Sequence, residues 1–156
     1  MKKKAKNIYV DKIEFHNALI KYKKGKGGKT VENYIGKCIL DICNGLSKKP
    51  NFSGYTYIDE MRADGVENCI MAINSYDVNN TSKNPFWYFS KIACYAFIRR
   101  IDKEKTQAYI KHKNVQSYYL QGSIEDIENN ELSDKVILDF ENKKAEQKLK
   151  KVKNIE

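Results

Sequence analysis

Apolar residues recur at helical spacing along most of the chain. From Lys12 to Tyr22, Ile13, Phe15, Ala18, Leu19 and Ile20 suit a short amphipathic helix. The run Lys23-Lys24-Gly25-Lys26-Gly27-Gly28-Lys29 interrupts that periodicity and is expected to be a mobile basic loop. A second helix is expected from Thr30, a residue fit for an N-cap, with Val31, Ile35, Cys38, Ile39, Ile42 and Leu46 on one face. It should end before Pro50, and Asn51-Phe52-Ser53-Gly54 reads as a turn. A third helix, Tyr57 to Tyr76, carries Ile58, Met61, Cys69, Ile70, Ile73 and Tyr76 on its apolar side. After the polar stretch Asp77 to Lys83, Asn84-Pro85 pairs an N-cap with proline at the first helical position, and the helix it opens should reach about His112. No stretch reads as a strand. The expected fold is all-α: a compact helical bundle over residues 12–120, a basic arm over 1–11, and an acidic-then-basic tail over 121–156. Within that tail Ser123 to Glu141 holds seven acidic residues against one Lys, and Glu141 to Glu156 holds six Lys. A frayed helix or a disordered arm is expected there.

Composition narrows the class. The 156 residues carry 29 Lys and Arg against 20 Asp and Glu, a net charge of +9. Eleven Tyr, six Phe and one Trp are too many large apolar groups for a disordered chain. No apolar run approaches the roughly 20 residues that span a bilayer. The basic N-terminus runs into Asn7, Asp11, Lys12 and Glu14, which is not a signal-peptide pattern. Membrane and secreted classes are excluded on these grounds. Cys38, Cys43, Cys69 and Cys94 form no C-x-x-C pair and sit among apolar neighbours. They read as buried reduced thiols, the alternative being a metal site with His16 or His112. Two histidines supply acid–base chemistry poorly, and no P-loop, dinucleotide fingerprint, nucleophile elbow or zinc-finger spacing is present. The expectation is a protein that is not an enzyme and needs no cofactor or metal.

Two surfaces carry candidate chemistry. On the fourth helix, Phe89, Ile92, Ala93, Ala96 and Phe97 fit an inward stripe. Tyr88, Lys91, Tyr95 and Arg99 recur at i, i+3, i+7 and i+11 as a separate aromatic-basic stripe, which Arg100, Lys103 and Lys105 extend. Flat rings interleaved with cations suit unstacked bases and their phosphates. The alternative packs Trp87 and Tyr88 under the preceding loop and leaves the cations as a solvated face. On the third helix, Glu60, Asp64 and Glu67 lie at i, i+4 and i+7, an acidic edge that either docks on a basic helical partner or is simply solvated. Asp59 and Glu60 lack the further ligands a two-metal nuclease needs.

Four blocks in order carry a family resemblance. Gly45-Leu46-Ser47-Lys48-Lys49-Pro50-Asn51-Phe52-Ser53-Gly54-Tyr55-Thr56 and Glu60-Met61-Arg62-Ala63-Asp64-Gly65-Val66-Glu67 are followed by Asn84-Pro85 and by Ala93-Cys94-Tyr95-Ala96-Phe97-Ile98-Arg99-Arg100-Ile101. Together they resemble the T-even-type bacteriophage late sigma factors, a divergent branch of the sigma-70 superfamily reduced mainly to region 2. The resemblance covers about residues 12–113. It implies that the third helix binds the β′ clamp helices of host core RNA polymerase, through Glu60, Ala63, Asp64 and Glu67. It implies that the fourth helix reads and melts an AT-rich −10 element, with Tyr88 where a flipped adenine stacks and Tyr95, Ile98 and Arg99 facing the duplex upstream. Trp87, Lys91, Arg100 and Lys103, taken from the aromatic-basic character of the helix rather than from the resemblance, complete the candidate DNA-binding set. The tandem tryptophans of primary sigma factors align with Lys91 and Ile92. No −35-reading domain follows His112, so a −10-type element alone is implied. Ile137-Leu138-Asp139-Phe140-Glu141 is reminiscent of the motif by which the T-even type hooks the phage sliding clamp, through Leu138, Asp139 and Phe140. An ordinary helical turn is the alternative there. The implied location is the cytoplasm of an infected bacterium. The rival readings are a polymerase-binding regulator, an anti-sigma or co-activator that does not read promoters, and a general single-strand-binding protein.

Overall fold

Asp11 starts the first helix, its Oδ1 accepting from the backbone N–H of Ile13 at 2.8 Å and of Glu14 at 2.9 Å. The computed structural model describes residues 10–79, 84–120 and 128–153. Most of the basic arm, residues 80–83 of the polar stretch, and 121–127 and 154–156 of the tail lie outside them. The protein is all-α, with α1 Lys12–Lys23, α2 Gly28–Ser47, α3 Ile58–Met71, α4 Pro85–Leu120 and α5 Glu128–Lys153. Two compact units result, Met1–Arg100 and Ile101–Glu156. The division falls inside α4, which has no Gly, and no Pro beyond its first residue Pro85, to mark it.

The connection between α1 and α2 is tighter than a seven-residue loop. Gly25 takes a φ of 66°, and its N–H reaches Tyr22 O at 3.0 Å while that of Lys26 reaches Lys21 O at 3.0 Å. This pair of bonds is a Schellman closure, which satisfies the last carbonyls of α1 and lets α2 begin at Gly28, two residues before Thr30. At the far end of α3, the α-helix stops at Met71 rather than Tyr76. Bonds from Ile73 N to Ile70 O, Ser75 N to Ala72 O and Tyr76 N to Ile73 O tighten the chain into successive turns. Those turns carry Tyr76 inward, where it is fully buried. The Asn84-Pro85 start holds: Asn84 Oδ1 accepts from Phe86 N at 3.0 Å.

In the first unit α2 packs against both α1 and α3. Phe15, Leu19, Ile35, Ile39, Ile42, Met61, Tyr76, Phe89 and Phe97 are its largest fully buried side chains. Phe15 meets Phe89 at 5.4 Å between centroids, and Phe52 meets Phe97 edge-on at 5.2 Å. Gly65 allows α3 to lie against this cluster. A Cβ there would stand 2.8 Å from Phe97 Cε1 and 3.1 Å from Cys43 Sγ. All four cysteines are free; Cys38, Cys43 and Cys69 are buried and Cys94 is half-buried. The neighbouring Cys43 sulfur, and then burial, push the Cys69 thiol up, and it donates to Phe89 O. Two residues assigned to apolar faces point outward instead: Ile13 is 75% exposed and Ile70 51%. Neither is needed to complete its helix's buried row, which on α3 is Met61, Gly65 and Cys69.

Of the two alternatives for the charged tail, its described part takes the helical one. α4 runs past His112 to Leu120, and α5 pairs with its second half. Tyr109 stacks on Phe140 at 4.5 Å, Lys113 pairs with Glu141 at 3.2 Å, and Gln116 donates to Asp134 at 2.8 Å. The charge segregation of α5 thus supports pairing along its acidic half, because α4 supplies the matching donors. Lys113 first, and then the Tyr109 hydroxyl, hold the Glu141 carboxyl below its usual range.

Candidate nucleic-acid and partner-docking surfaces

The first turns of α4 carry four aromatics, and a helix buries only part of such a ring. Phe89 goes inside, with Ala93, Ala96 and Phe97 after it, as the inward stripe requires; Ile92 is half-buried. Trp87 is 62% exposed and Tyr95 52%. Lys91 lies between them, its Nζ 5.0 Å from the Trp87 ring and 5.9 Å from the Tyr95 ring. Ile98 and Arg99 continue the exposed row. The outward stripe therefore runs Trp87, Lys91, Tyr95, Ile98 and Arg99, one position off at its start from the row that begins with Tyr88. Arg99 donates to Asn68 Oδ1 at 2.6 Å, which anchors the end of the row to α3.

Tyr88 is placed differently. It is half-buried, 5.2 Å from the Tyr76 ring and 5.1 Å from Phe89, and its hydroxyl donates to Ala72 O at 3.4 Å. Burial, with a smaller contribution from Cys69, pushes its phenol up, so it stays neutral. Tyr76 in turn meets His16 Nδ1 through its hydroxyl at 3.0 Å, and Lys23 Nζ caps Asn74 O and Tyr76 O. Tyr88 is thus held in an aromatic cluster rather than presented with Trp87.

Asp64 and Arg100, read from sequence as belonging to two different surfaces, hold each other. Arg100 donates from Nε to Asp64 Oδ2 at 2.6 Å and from Nη2 to Asp64 Oδ1 at 2.7 Å, a bidentate pair joining α3 to α4. Their side chains keep 28% and 17% exposure. Asp64→Ala would leave the guanidinium partly buried without its carboxylate. We expect a loss of about 2 kcal/mol in urea unfolding, less than the ~3–5 kcal/mol of a fully buried pair. Glu60→Ala, at an exposed position, should change stability by less than ~0.5 kcal/mol. Lys103 lies on α4 in the second unit and is exposed.

Along α2 and α3 runs an open apolar groove of about 610 Å³, with Leu40, Val66, Ile70 and Met71 as its apolar wall. Of the residues assigned to docking, Ala63 and Glu67 line it. Glu60 is exposed outside that lining, and Asp64 is committed to Arg100. Arg62 also lines it and is paired with Asp59. Leu40 is 47% exposed and Met71 63%, an unusual density of large apolar side chains in water. Sequence reasoning missed Leu40, Val66, Ile70 and Met71. The available signal for Leu40, Val66 and Met71 was their surplus, each lying off the apolar row read for its helix, whereas Ile70 was read onto that row.

On α5, Leu138 is 58% exposed and Asp139 is exposed, whereas Phe140 is half-buried against Tyr109. The three sliding-clamp candidates do not form one exposed group. Among the described residues no group of three or more His, Cys, Asp or Glu is placed to hold a metal ion, and no helix is long and apolar enough to cross a membrane. No protein-family model and no curated protein matches the chain.

Proposed function

We propose that the chain is a phage-encoded sigma-type initiation factor, which docks on host core RNA polymerase and opens a −10-type AT-rich late promoter. The observation that carries this reading is the exposed row of Trp87, Lys91 and Tyr95 on α4. A lysine resting on two rings leaves them when a phosphate arrives, and the freed faces take unstacked bases. Each base so stacked gains about 1–3 kcal/mol. The work is binding and strand separation, and unstacking a base step costs a few kcal/mol. In this reading Trp87 and Tyr95 take the capturing role that the family resemblance gives to Tyr88. The α2–α3 groove supplies the second requirement, an apolar surface with Glu67 at its rim for a basic helical partner such as the β′ clamp helices. The order of the sequence blocks in α2, α3 and α4 supports the same assignment.

One observation favours a regulator that binds polymerase without reading DNA: Tyr88 is packed against Tyr76 and Phe89. Transcription from a template with an AT-rich −10-type element separates the two. An initiation factor directs core polymerase to one start site on it, and a regulator binds core without doing so.

A further inference from the structure

The second unit holds a cleft that neither surface above uses. It measures about 530 Å³ and lies between the second half of α4 and α5, with Lys105 on one wall and Lys143 and Lys144 on the other. Tyr109 and Phe140, stacked on each other, line it too, and Lys144 Nζ sits 6.0 Å from the Phe140 ring. Asp102 is the one carboxylate in the lining. Glu141, close by in sequence, is engaged by Lys113 and Tyr109. The cleft is therefore a concave, positively charged surface with three ammonium groups against one carboxylate.

We propose that this cleft binds the phosphate backbone of a nucleic acid. The lysine-rich sequence that continues from the cleft favours a polymer over a free anion. From Asn142 to Lys153 the sequence carries six Lys and one Glu, and the helix runs through all of it. Lys143 to Lys153 spans about 15 Å at 1.5 Å per residue. Several consecutive phosphates fit along that distance, whereas one free phosphate needs only the cleft. A membrane surface is disfavoured by the apolar content of α5. Among the residues with described side chains, only Leu138 is a large exposed apolar group on it, and lying in a bilayer interface takes a continuous apolar face. The Tyr109–Phe140 pair spends its facing surfaces on itself, so the cleft reads charge and not base identity.

The test uses the full chain without polymerase and a fluorescent oligothymidylate of about 20 nucleotides, followed by anisotropy between about 50 and 200 mM salt. The triple variant Lys105→Gln, Lys143→Gln, Lys144→Gln is expected to bind about tenfold more weakly. Its log–log salt slope should fall by about 2, at roughly 0.7 per lost phosphate contact on a single strand. Replacing Lys143 and Lys144 with Arg should preserve binding, which separates lost charge from lost folding. Removing the same charge through Lys12→Gln, Lys29→Gln and Lys37→Gln, exposed on α1 and α2, should leave the slope unchanged. Equal losses in both triple variants would reduce the effect to overall charge and overturn the proposal. So would the absence of salt-sensitive binding by the parent chain, or binding to anionic vesicles without binding to the oligonucleotide. Competition by inorganic phosphate as effective as that by the oligonucleotide would make the cleft a free-anion site and overturn it as well. The readout is the difference in slope between the two triple variants, neither of which touches the Trp87–Lys91–Tyr95 row, so failure here is distinguishable from failure of the initiation reading.

Discussion

Trp87→Ala is expected to reduce promoter opening by roughly 5- to 150-fold while leaving affinity for core polymerase unchanged. The range is the loss of one base–aromatic stack, about 1–3 kcal/mol, with 1.4 kcal/mol per tenfold. Stability should stay within ~0.5 kcal/mol, because the indole is already mostly in water, with the Lys91 ammonium over its ring. Tyr88→Ala should behave in the opposite way. Its ring is held between Tyr76 and Phe89, so truncation opens a void in the aromatic cluster and costs about 2–4 kcal/mol of folding stability. Tyr88→Phe loses only a long bond to Ala72 O and should be close to neutral in both assays. Open-complex formation on a fluorescent promoter, run beside urea unfolding of each variant, separates these effects. A Trp87→Ala protein that opens promoters normally would remove the stripe from the mechanism.

The second large effect is expected at the groove. Ile70→Asp places a carboxylate in the middle of an apolar wall formed with Leu40, Val66 and Met71. Burying it against a partner would cost roughly 2–4 kcal/mol, so the Kd for core polymerase should rise by about 30- to 1,000-fold. Folding should tolerate the change, since Ile70 is half in water in the free protein. Glu67→Lys, at the rim, should weaken docking less and mainly at low salt, where charge steers association. Titration of labelled protein with core polymerase gives both values. An unchanged Kd for Ile70→Asp would move docking away from this groove. Asp64, one of the four docking residues the sequence offered, is a poor probe, because any change there also strips Arg100 of its partner.

The helices were legible where periodicity and end signals agreed, as at Asn84-Pro85 and along the buried row of α2. Tertiary contacts decided what periodicity left undetermined. α3 ends at Met71 although apolar residues continue to Tyr76, because the chain tightens into turns that bring Tyr76 under Tyr88. α5 is helical although its composition reads as a charged tail, because Tyr109, Lys113 and Gln116 of α4 each find a partner on it. The candidate site was legible to within one helical position. Trp87 and Tyr88 are adjacent, and sequence spacing ranks Tyr88 with Lys91 and Tyr95 as readily as it ranks Trp87 with them. Which ring faces out depends on Tyr76, whose own position follows from the turns after α3. The Asp64–Arg100 pair was hidden for a similar reason. Each residue fits a charged edge on its own helix, and only the packing of α3 on α4 makes them partners.

The central claim is that α4 opens a promoter for polymerase docked on the α2–α3 groove. Permanganate reactivity of thymines tests it most directly, with purified protein, host core polymerase and a duplex carrying an AT-rich −10-type element. Reactive thymines are expected only when both proteins are present, with reactivity at the upstream edge of the bubble lost in Trp87→Ala. Stable core binding with no reactive thymines on the duplex, and no stimulation on premelted DNA, would contradict it and leave a regulator that does not read promoters.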